Sequence, residues 1–441
     1  MRTDPLAVVL SSDVIGLGAV RSLKAGRVPT IVVTLSRSEP VRFSRYAEKR
    51  VVPRSNDPEA ALLAVLAGIP SPPRPVLIPT SDYLAHFIAR HRDELAERFL
   101  CAVPADPVME LALDKAKDTA LLAGYGVPMP KSAQVLPPTP GELVRRIGLP
   151  LIIKPRTYED KRELGWRNVV AHRLEHVEEF YRTQRGVFGR VIGQELIPGD
   201  DEMLWECICV FDGNSDLVSA FTFRKLRTVP AHYGQTSYGR SERNEEIIAL
   251  ARDIGKRLGY TGPADIDLKY DARDGRYKYL ELNPRVGLCN HFAARCGVNV
   301  VLDAYRVARG EPVRDTSQVE GVRFLSALED MGGRLHDGDS PAKVLVDFVA
   351  ALAKRPVGAY LAWDDPLPGP LSAARLVWRF LVRAWRGQLG HVFTRDYRKL
   401  PPPADASAGP APGEVKASAP APAAARPSTP AGPPVPSGSP T

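Results

Sequence analysis

The sequence predicts a mixed α/β and α+β chain, with a doubly wound unit at its N-terminus and a larger unit built on an antiparallel sheet behind it. Three observations lead there. Short β-branched apolar runs alternate with helical stretches over the first hundred residues. From residue 151 onward strand-length apolar runs follow one another, with one long helical run among them. The chain has 441 residues, too many for one ordinary core, with room for two or three domains at about 100–200 residues each.

In order along the chain, 6–10 reads as a buried strand, 16–23 as a helix and 30–35 as a second strand, the start of a parallel α/β unit. PVLIP at 75–79 is a third strand, 83–99 a helical run and 101–103 a further short strand. Asp106 before Pro107 is a favoured N-cap and first-turn pair, and Met109, Leu111 and Leu113 continue a helix. Strands are expected at 151–154, 191–197, 205–210, 217–223, 264–270 and 277–282, with a helix at 245–258. Past residue 400 the composition turns to Pro, Ala, Ser and Gly, with about a third of the 42 prolines. Such a tail buries too little apolar surface to offset its chain entropy and is expected to be disordered.

Composition excludes several classes. A hydrophobic share of 44% and a charged share of 25% are those of a water-soluble globular chain, and no run approaches the roughly 20 apolar residues of a membrane span. The five cysteines, Cys101, Cys207, Cys209, Cys289 and Cys296, form no CxxC pair, which fits free thiols in a reducing, cytoplasmic compartment. The net charge of +8 is no nucleic-acid signal, because it gathers in 375–399, where Arg375, Arg379, Arg383, Arg386, Arg395, Arg398 and Lys399 face one acid, Asp396.

The most informative stretch is 263–285, where ADIDLKYD and YKYLELNPR flank a DARDGR turn and read as a hairpin. By the two-residue period Asp265, Asp267 and Lys269 share one face of the first strand, and Tyr279, Glu281 and Asn283 share one face of the second. Asp267 then faces Glu281 and Asn283. Two carboxylates and an amide oxygen form a hard oxygen site suited to magnesium that keeps positions for water and phosphate. The plain alternative is an exposed polar hairpin face with salt bridges to Lys269 and Lys278.

ELNPR at 281–285 after an acidic strand resembles the metal-binding signature of ATP-grasp enzymes, the family of biotin carboxylase and D-alanyl-D-alanine ligase. LDK at 113–115, GVPMP at 126–130, LIIKP at 151–155 and QELIPGDDE at 194–202 extend the likeness in order. The resemblance implies ATP with Mg2+, or Mn2+ in its place, bound by Asp267, Glu281 and Asn283, with Lys115 and Lys154 on the phosphates. It implies that Gln194 and Glu195 read the adenine edge, that Ile197 packs on the ring and that Glu202 reaches the ribose. Arg285 matches an active-site arginine, and strand alternation sets Lys225 opposite Arg224, so we assign Lys225 with Arg285 to the reacting centre. The implied layout is a preATP-grasp α/β domain over 1–105, the ATP-grasp domain over 106–315, a C-terminal helical extension over 316–399 and the tail over 400–441. One departure stands out: the phosphate-covering loop, usually glycine-rich, reads TYEDKRELGWR at 157–167 with Gly165 alone, so either Lys161, Arg162 or Arg167 would supply the cover or substrate would order the loop.

Within the family the chain is most similar to carboxylate-amine ligases of the D-aspartate ligase kind, a likeness that SRYAEKRVVPR at 44–54 and AYLAWDDPLP at 359–368 strengthen. The implied activity is ATP-dependent amide-bond formation through an acyl phosphate, with release of ADP and with small or peptide-like carboxylate and amine substrates. The rival is a non-catalytic ATP-binding regulator on the same fold, against which Asp267, Glu281, Asn283 and Arg285 are all present. Gly16 and Gly18 lack the third glycine of a dinucleotide fingerprint, where Arg21 stands, and read as a tight strand-to-helix turn.

At 373–386 Arg375, Arg379, Arg383 and Arg386 recur at helical spacing beside Leu376, Phe380, Leu381 and Trp385. The plain reading is a helix packed on the ligase body. The sharper one is peripheral contact with the inner face of a membrane, at about 1 kcal/mol per arginine on anionic lipid. Co-sedimentation with anionic vesicles separates them: equal recovery in the supernatant with and without vesicles is the packed-helix result, and salt-sensitive loss from it is the membrane result.

Overall fold

The first hundred residues form a five-stranded parallel sheet in spatial order Glu48–Val51, Thr30–Thr34, Ala7–Ser11, Val76–Pro79, Leu100–Cys101. These are seen in a computed structural model that describes residues 5–71, 73–229 and 231–385. Every residue of Ala7–Ser11, Thr30–Thr34 and Val76–Pro79 is buried, the pattern of parallel strands covered on both faces. Ala7, Val9 and Val32 pack under the helix Asp13–Ala25, while Val8, Leu10, Ile31 and Val33 face Pro58–Ala67 and Asp82–Arg90. The unit is doubly wound. Its exposed edge strand carries Glu48, Lys49 and Arg50, charges that discourage further strand pairing.

Two antiparallel arrays follow. The smaller has the order Ser132–Ala133, Val191–Glu195, Leu151–Pro155, Val169–Ala171. The larger has seven strands in the order Arg276–Asn283, Gly262–Asp271, Leu204–Phe211, Leu217–Val229, Gln235–Ser241, Arg323–Leu325, Val357–Gly358, of which the last two pair in parallel. The helix Glu245–Leu258 covers it, with the Asn244 side chain accepting from Ile247 N at 3.1 Å and Gly259 closing the far end in the left-handed region. The core of the parallel sheet continues into this one through Ile208, Phe221, Phe223 and Phe292.

Several elements differ from the sequence expectation. Ala105, not Asp106, is the N-cap, and Asp106 is the first helical residue. The helical run at 83–99 is two helices, Asp82–Arg90 and Arg92–Ala96, broken at His91. Gly16 and Gly18 lie within Asp13–Ala25 and make no turn. A Cβ on Gly18 would stand 2.6 Å from Asn290 Oδ1, so the glycine admits the helix Asn290–Arg295 against its backbone. The C-terminal extension has the helices Ala327–His336, Pro341–Ala353 and Pro368–Trp385, yet it also adds two strands to the larger sheet. Among the described residues no helix is long and apolar enough to cross a membrane. Arg386 and the tail lie outside the described residues.

The segments 44–54 and 359–368 meet in space. Arg45 N donates to Asp365 Oδ1 at 3.1 Å, and the Tyr46 hydroxyl donates to the Asp364 carbonyl. Buried Arg21 donates to Asp365 Oδ2 at 3.0 Å and to the carbonyls of Tyr360 and Asp365 at 2.9 and 3.1 Å. With both side chains almost wholly buried, Arg21→Ala leaves a carboxylate uncompensated. It should lower stability by about 3–5 kcal/mol, read as a fall in the urea midpoint; an unchanged midpoint would show that the pair does not hold the C-terminal segment.

Candidate active site

A cleft of about 430 Å³ opens where the three sheets face one another. One wall is the smaller sheet. Its strand Leu151–Pro155 alternates so that Leu151 and Ile153 enter the core while Lys154 lines the cleft. Burial lowers the Lys154 pKa against the pull of Glu281, and the nearby Lys115 charge adds to the lowering.

Lys115 opens the helix Lys115–Gly124, capped by Asp114, whose Oδ1 accepts from Ala116 N at 3.0 Å and Lys117 N at 3.3 Å. Arg156, two residues past Lys154, donates to both Asp114 oxygens at 2.6 Å, so one bidentate clamp fixes both lysine-bearing segments. One turn on, Asp118 accepts from the Tyr279 hydroxyl at 2.5 Å, tying that helix to the hairpin; burial raises the Asp118 pKa to about 7. Lys115 Nζ stands 3.4 Å from Glu281 Oε2. Burial opposes its charge, but Glu281, Asp82 and Asp118 outweigh that and leave its pKa raised.

The opposite wall is the hairpin. Asp267 pairs with Glu281 and Asp265 with Asn283, and then the register slips between Asp267 and Leu268. That bulge sets Tyr279 opposite Leu268, in the core with Ile266 and Leu282, and brings Leu280 to the cleft. The expectation that Tyr279 shares a face with Glu281 and Asn283 is therefore corrected; strict alternation fails at a bulge. Glu281 is held well below the usual carboxylate range, the Lys115 and Lys154 charges overcoming the cost of burial. Asp267 is pushed up by burial, against the pull of Lys225.

On the strand Leu217–Val229, Lys225 projects into the cleft and bonds Asp267, with Glu206 Oε2 at 3.1 Å. Arg224 turns away, donating to the Glu202 carbonyl at 2.6 Å. Arg285 Nη1 donates to Asp265 Oδ2 at 2.7 Å, and Nε lies 3.5 Å from Asp82. Gly287 leaves room for this pair, since a Cβ there would meet Asp265 Oδ2 at 2.6 Å.

Gln194, Glu195 and Ile197 also line the cleft. Glu195 accepts from Lys131 N at 3.1 Å and pairs with Arg273 at 2.6 Å. Glu202 stands outside the lining, with its side chain more than half exposed and 3.8 Å from Arg224. Its neighbour Asp201 accepts from Thr228 N at 2.6 Å and His232 N at 2.8 Å, fixing the turn that carries Tyr233 into the cleft. The segment expected as a phosphate loop is a short helix, Tyr158–Leu164, with a reciprocal capping box between Thr157 and Asp160 and Gly165 left-handed at its end. Lys161 and Arg167 line the cleft; Arg162 does not.

Four acids matter here that the sequence reading did not assign: Glu206, Asp265, Asp82 and Asp114. Glu206 left a signal, as the lone charge in the fully buried strand Leu204–Phe211. Asp82 opens the helix Asp82–Arg90 and Asp114 caps Lys115–Gly124, so each reads from sequence as an ordinary helix start.

Residues 237–316 match the family described as carbamoyl-phosphate synthase L chain, ATP binding domain. The chain is 26% identical over 314 residues to a D-aspartate ligase of Enterococcus faecium, covering 67% of this chain and 74% of that one. It is 24% identical over 208 residues to the carbamoyl phosphate synthase large chain of Methanosphaerula palustris, 45% of this chain but 19% of that protein. Among solved structures it superposes on the biotin carboxylase domain of Hydrogenobacter thermophilus 2-oxoglutarate carboxylase, in complex with MgADP, ADP and bicarbonate, with a TM-score of 0.55 over 73% of each chain at 18% identity. The chain has the ATP-grasp fold. The ADP complex of an N5-carboxyaminoimidazole ribonucleotide synthetase shares that fold, with a TM-score of 0.58 and 14% identity over 76% of this chain and 84% of that one.

The donor set of this ATP-grasp cleft fits magnesium. Among the described residues no three His, Cys, Asp or Glu side chains converge on a ready-made metal position, so Asp267, Glu281 and Asn283 would supply part of the shell and phosphate and water the rest. Lys115 and Lys225 now neutralise the two carboxylates. Glu281→Gln frees Lys115 for phosphate while removing a metal oxygen. The ratio of ADP affinities with and without Mg2+, measured by calorimetry, should therefore fall about tenfold or more; an unchanged ratio would remove Glu281 from the metal site.

Proposed function

We propose that this ATP-grasp chain is an ADP-forming carbon–nitrogen ligase that activates a carboxylate as an acyl phosphate and joins it to an amine. The observation that carries the reading is the convergence of Lys115, Lys154, Asp267, Glu281, Lys225 and Arg285 on one cleft. Lys115 and Lys154 would neutralise nucleotide phosphates as compact point charges. Asp267, Glu281 and Asn283 would hold magnesium, which when bound would neutralise the remaining phosphate charge.

The reaction moves the γ-phosphoryl group from ATP to a carboxylate oxygen, leaving ADP. The amine then attacks the acyl carbon, phosphate departs, and the amine loses a proton. Charge grows on the transferring phosphoryl oxygens and then on the tetrahedral carbon. Arg285 and Lys225 are aimed cations for that charge, pre-oriented by Asp265, Asp82, Asp267 and Glu206, so little reorganisation is left for the reaction itself. The likeness to D-aspartate ligase supports an amino-acid carboxylate as substrate, with D-aspartate the first to test. The five thiols are unpaired, in keeping with a reducing compartment.

Among the described residues no Ser-His or Cys-His arrangement lines the cleft, which supports activation by phosphoryl transfer over a covalent acyl-enzyme. Turnover with the true substrates should yield one ADP and one phosphate per amide bond, resolved by chromatography of the nucleotides. Stoichiometric AMP and pyrophosphate would overturn the mechanism.

A further inference from the structure

The helix Tyr158–Leu164, which stands in place of a glycine-rich phosphate loop, has seven residues, none of them buried. A helix so short is not stable in water by itself, so contacts at its two ends hold it. Leu164 packs on the core of the smaller sheet with Leu151, Ile153 and Trp166. Tyr158 packs instead on the core of the N-terminal sheet, beside the helix Asp82–Arg90. The short helix is thus a strut between two cores.

The N-terminal attachment is made by named side chains. His86 Nδ1 lies 3.1 Å from the Tyr158 hydroxyl and 3.4 Å from Glu159 Oε1. The Tyr158 ring meets the rings of Tyr83 and His86 edge-on, with centroids 6.4 and 6.0 Å apart, a favoured arrangement of aromatic pairs. Burial raises the Tyr158 pKa and Glu159 adds to the rise, so the hydroxyl remains a neutral donor between His86 and Glu159. From the smaller sheet's side Arg190 donates to Asp160 Oδ1 at 2.7 Å and to Glu163 Oε2 at 2.6 Å. The segment so held sends Lys161 and Arg167 to the cleft, and the Arg167 charge reaches Glu281. His86 is one turn past Asp82, which stands 3.5 Å from Arg285 Nε. One helix of the N-terminal unit therefore touches both the phosphate cover and the reacting centre.

We propose that Tyr158 and His86 are positioning residues for the nucleotide: their contact latches the helix Tyr158–Leu164 to the N-terminal sheet and holds Lys161 and Arg167 ready for the phosphates. The inference rests on the placement of the nucleotide in the ligase reading above. A mobile loop loses chain entropy each time it closes on a phosphate, whereas a latched helix has lost it on folding. The effect falls on phosphate binding, because Lys161 and Arg167 carry the charge and the base is assigned to Gln194, Glu195 and Ile197. His86 is outside the cleft lining and acts through Tyr158 and Glu159.

The test uses the full chain with Mg2+ and measures by calorimetry the affinity of a non-hydrolysable ATP analogue, and by competition that of adenosine, which has no phosphate. Tyr158→Phe and His86→Ala should each weaken the analogue by about 3–10-fold, the effect of one lost hydrogen bond, and leave adenosine unchanged. His86→Asn, whose amide stands where Nδ1 does, should bring the analogue back to within about twofold of the unmodified chain. An unchanged analogue affinity in both variants, no recovery in His86→Asn, or an equal loss for adenosine overturns the latch and leaves the ligase reading standing. An unmodified chain that binds no analogue overturns the nucleotide placement itself.

Discussion

The contact between Lys115 and Glu281 is the point from which the rest of the site can be understood. It joins the start of the helix Lys115–Gly124 to the second hairpin strand across 3.4 Å, two elements whose Leu122, Tyr279 and Leu282 share one core. Both side chains are half-buried, and each offsets part of the desolvation cost of the other. Lys154 and Lys225 repeat the logic on either side: each cation is set against a carboxylate from a different strand. The cleft thus sets cations from several elements against carboxylates, and on the proposed reading magnesium, phosphate and substrate would enter it by exchange with these pairs.

The supports of these pairs are ordinary folding devices. Asp114 caps a helix and clamps Arg156, so that a cap and a strand end together fix two lysines. Asp118 and Tyr279 bind the same helix to the hairpin. Asp201 holds the turn at His232, a residue in the left-handed region, by two backbone donors and an ion pair at 3.1 Å. At the far edge the Arg21 and Asp365 pair holds the C-terminal segment against the first helix, close to the N-terminal wall of the cleft to which Ser12 and Ile15 belong.

How much of this could be read in advance depended on the kind of signal. The parallel strands, the helix Glu245–Leu258 and the acidic hairpin announce themselves by apolar period and by acids on one strand face, because burial on one or both faces imposes those patterns. Lys115, Lys154, Lys225, Gln194, Glu195, Ile197, Asp267, Glu281, Asn283 and Arg285 all line one cleft. Gln235–Ser241 is polar, and Val169–Ala171 and Arg323–Leu325 are three residues each, so period carried nothing there. The bulge after Asp267 was invisible because an inserted residue leaves no compositional mark. Asp82 and Arg285, far apart in sequence, are joined only by the docking of the parallel sheet against the hairpin. The interlock of 44–54 with 359–368 is of the same tertiary kind, though both segments had drawn notice as motifs.

The central claim is that one nucleotide is held between Lys154 of the smaller sheet and the Asp267–Glu281 hairpin, with Lys115 beside it. A crystal structure of the full chain grown with Mg2+ and a non-hydrolysable ATP analogue tests it most directly. The account predicts phosphates on Lys115 and Lys154, metal on Asp267 and Glu281, and the base beside Gln194 to Ile197. A nucleotide bound elsewhere, or phosphates that leave Lys115 paired to Glu281 with no metal at the hairpin, would contradict it.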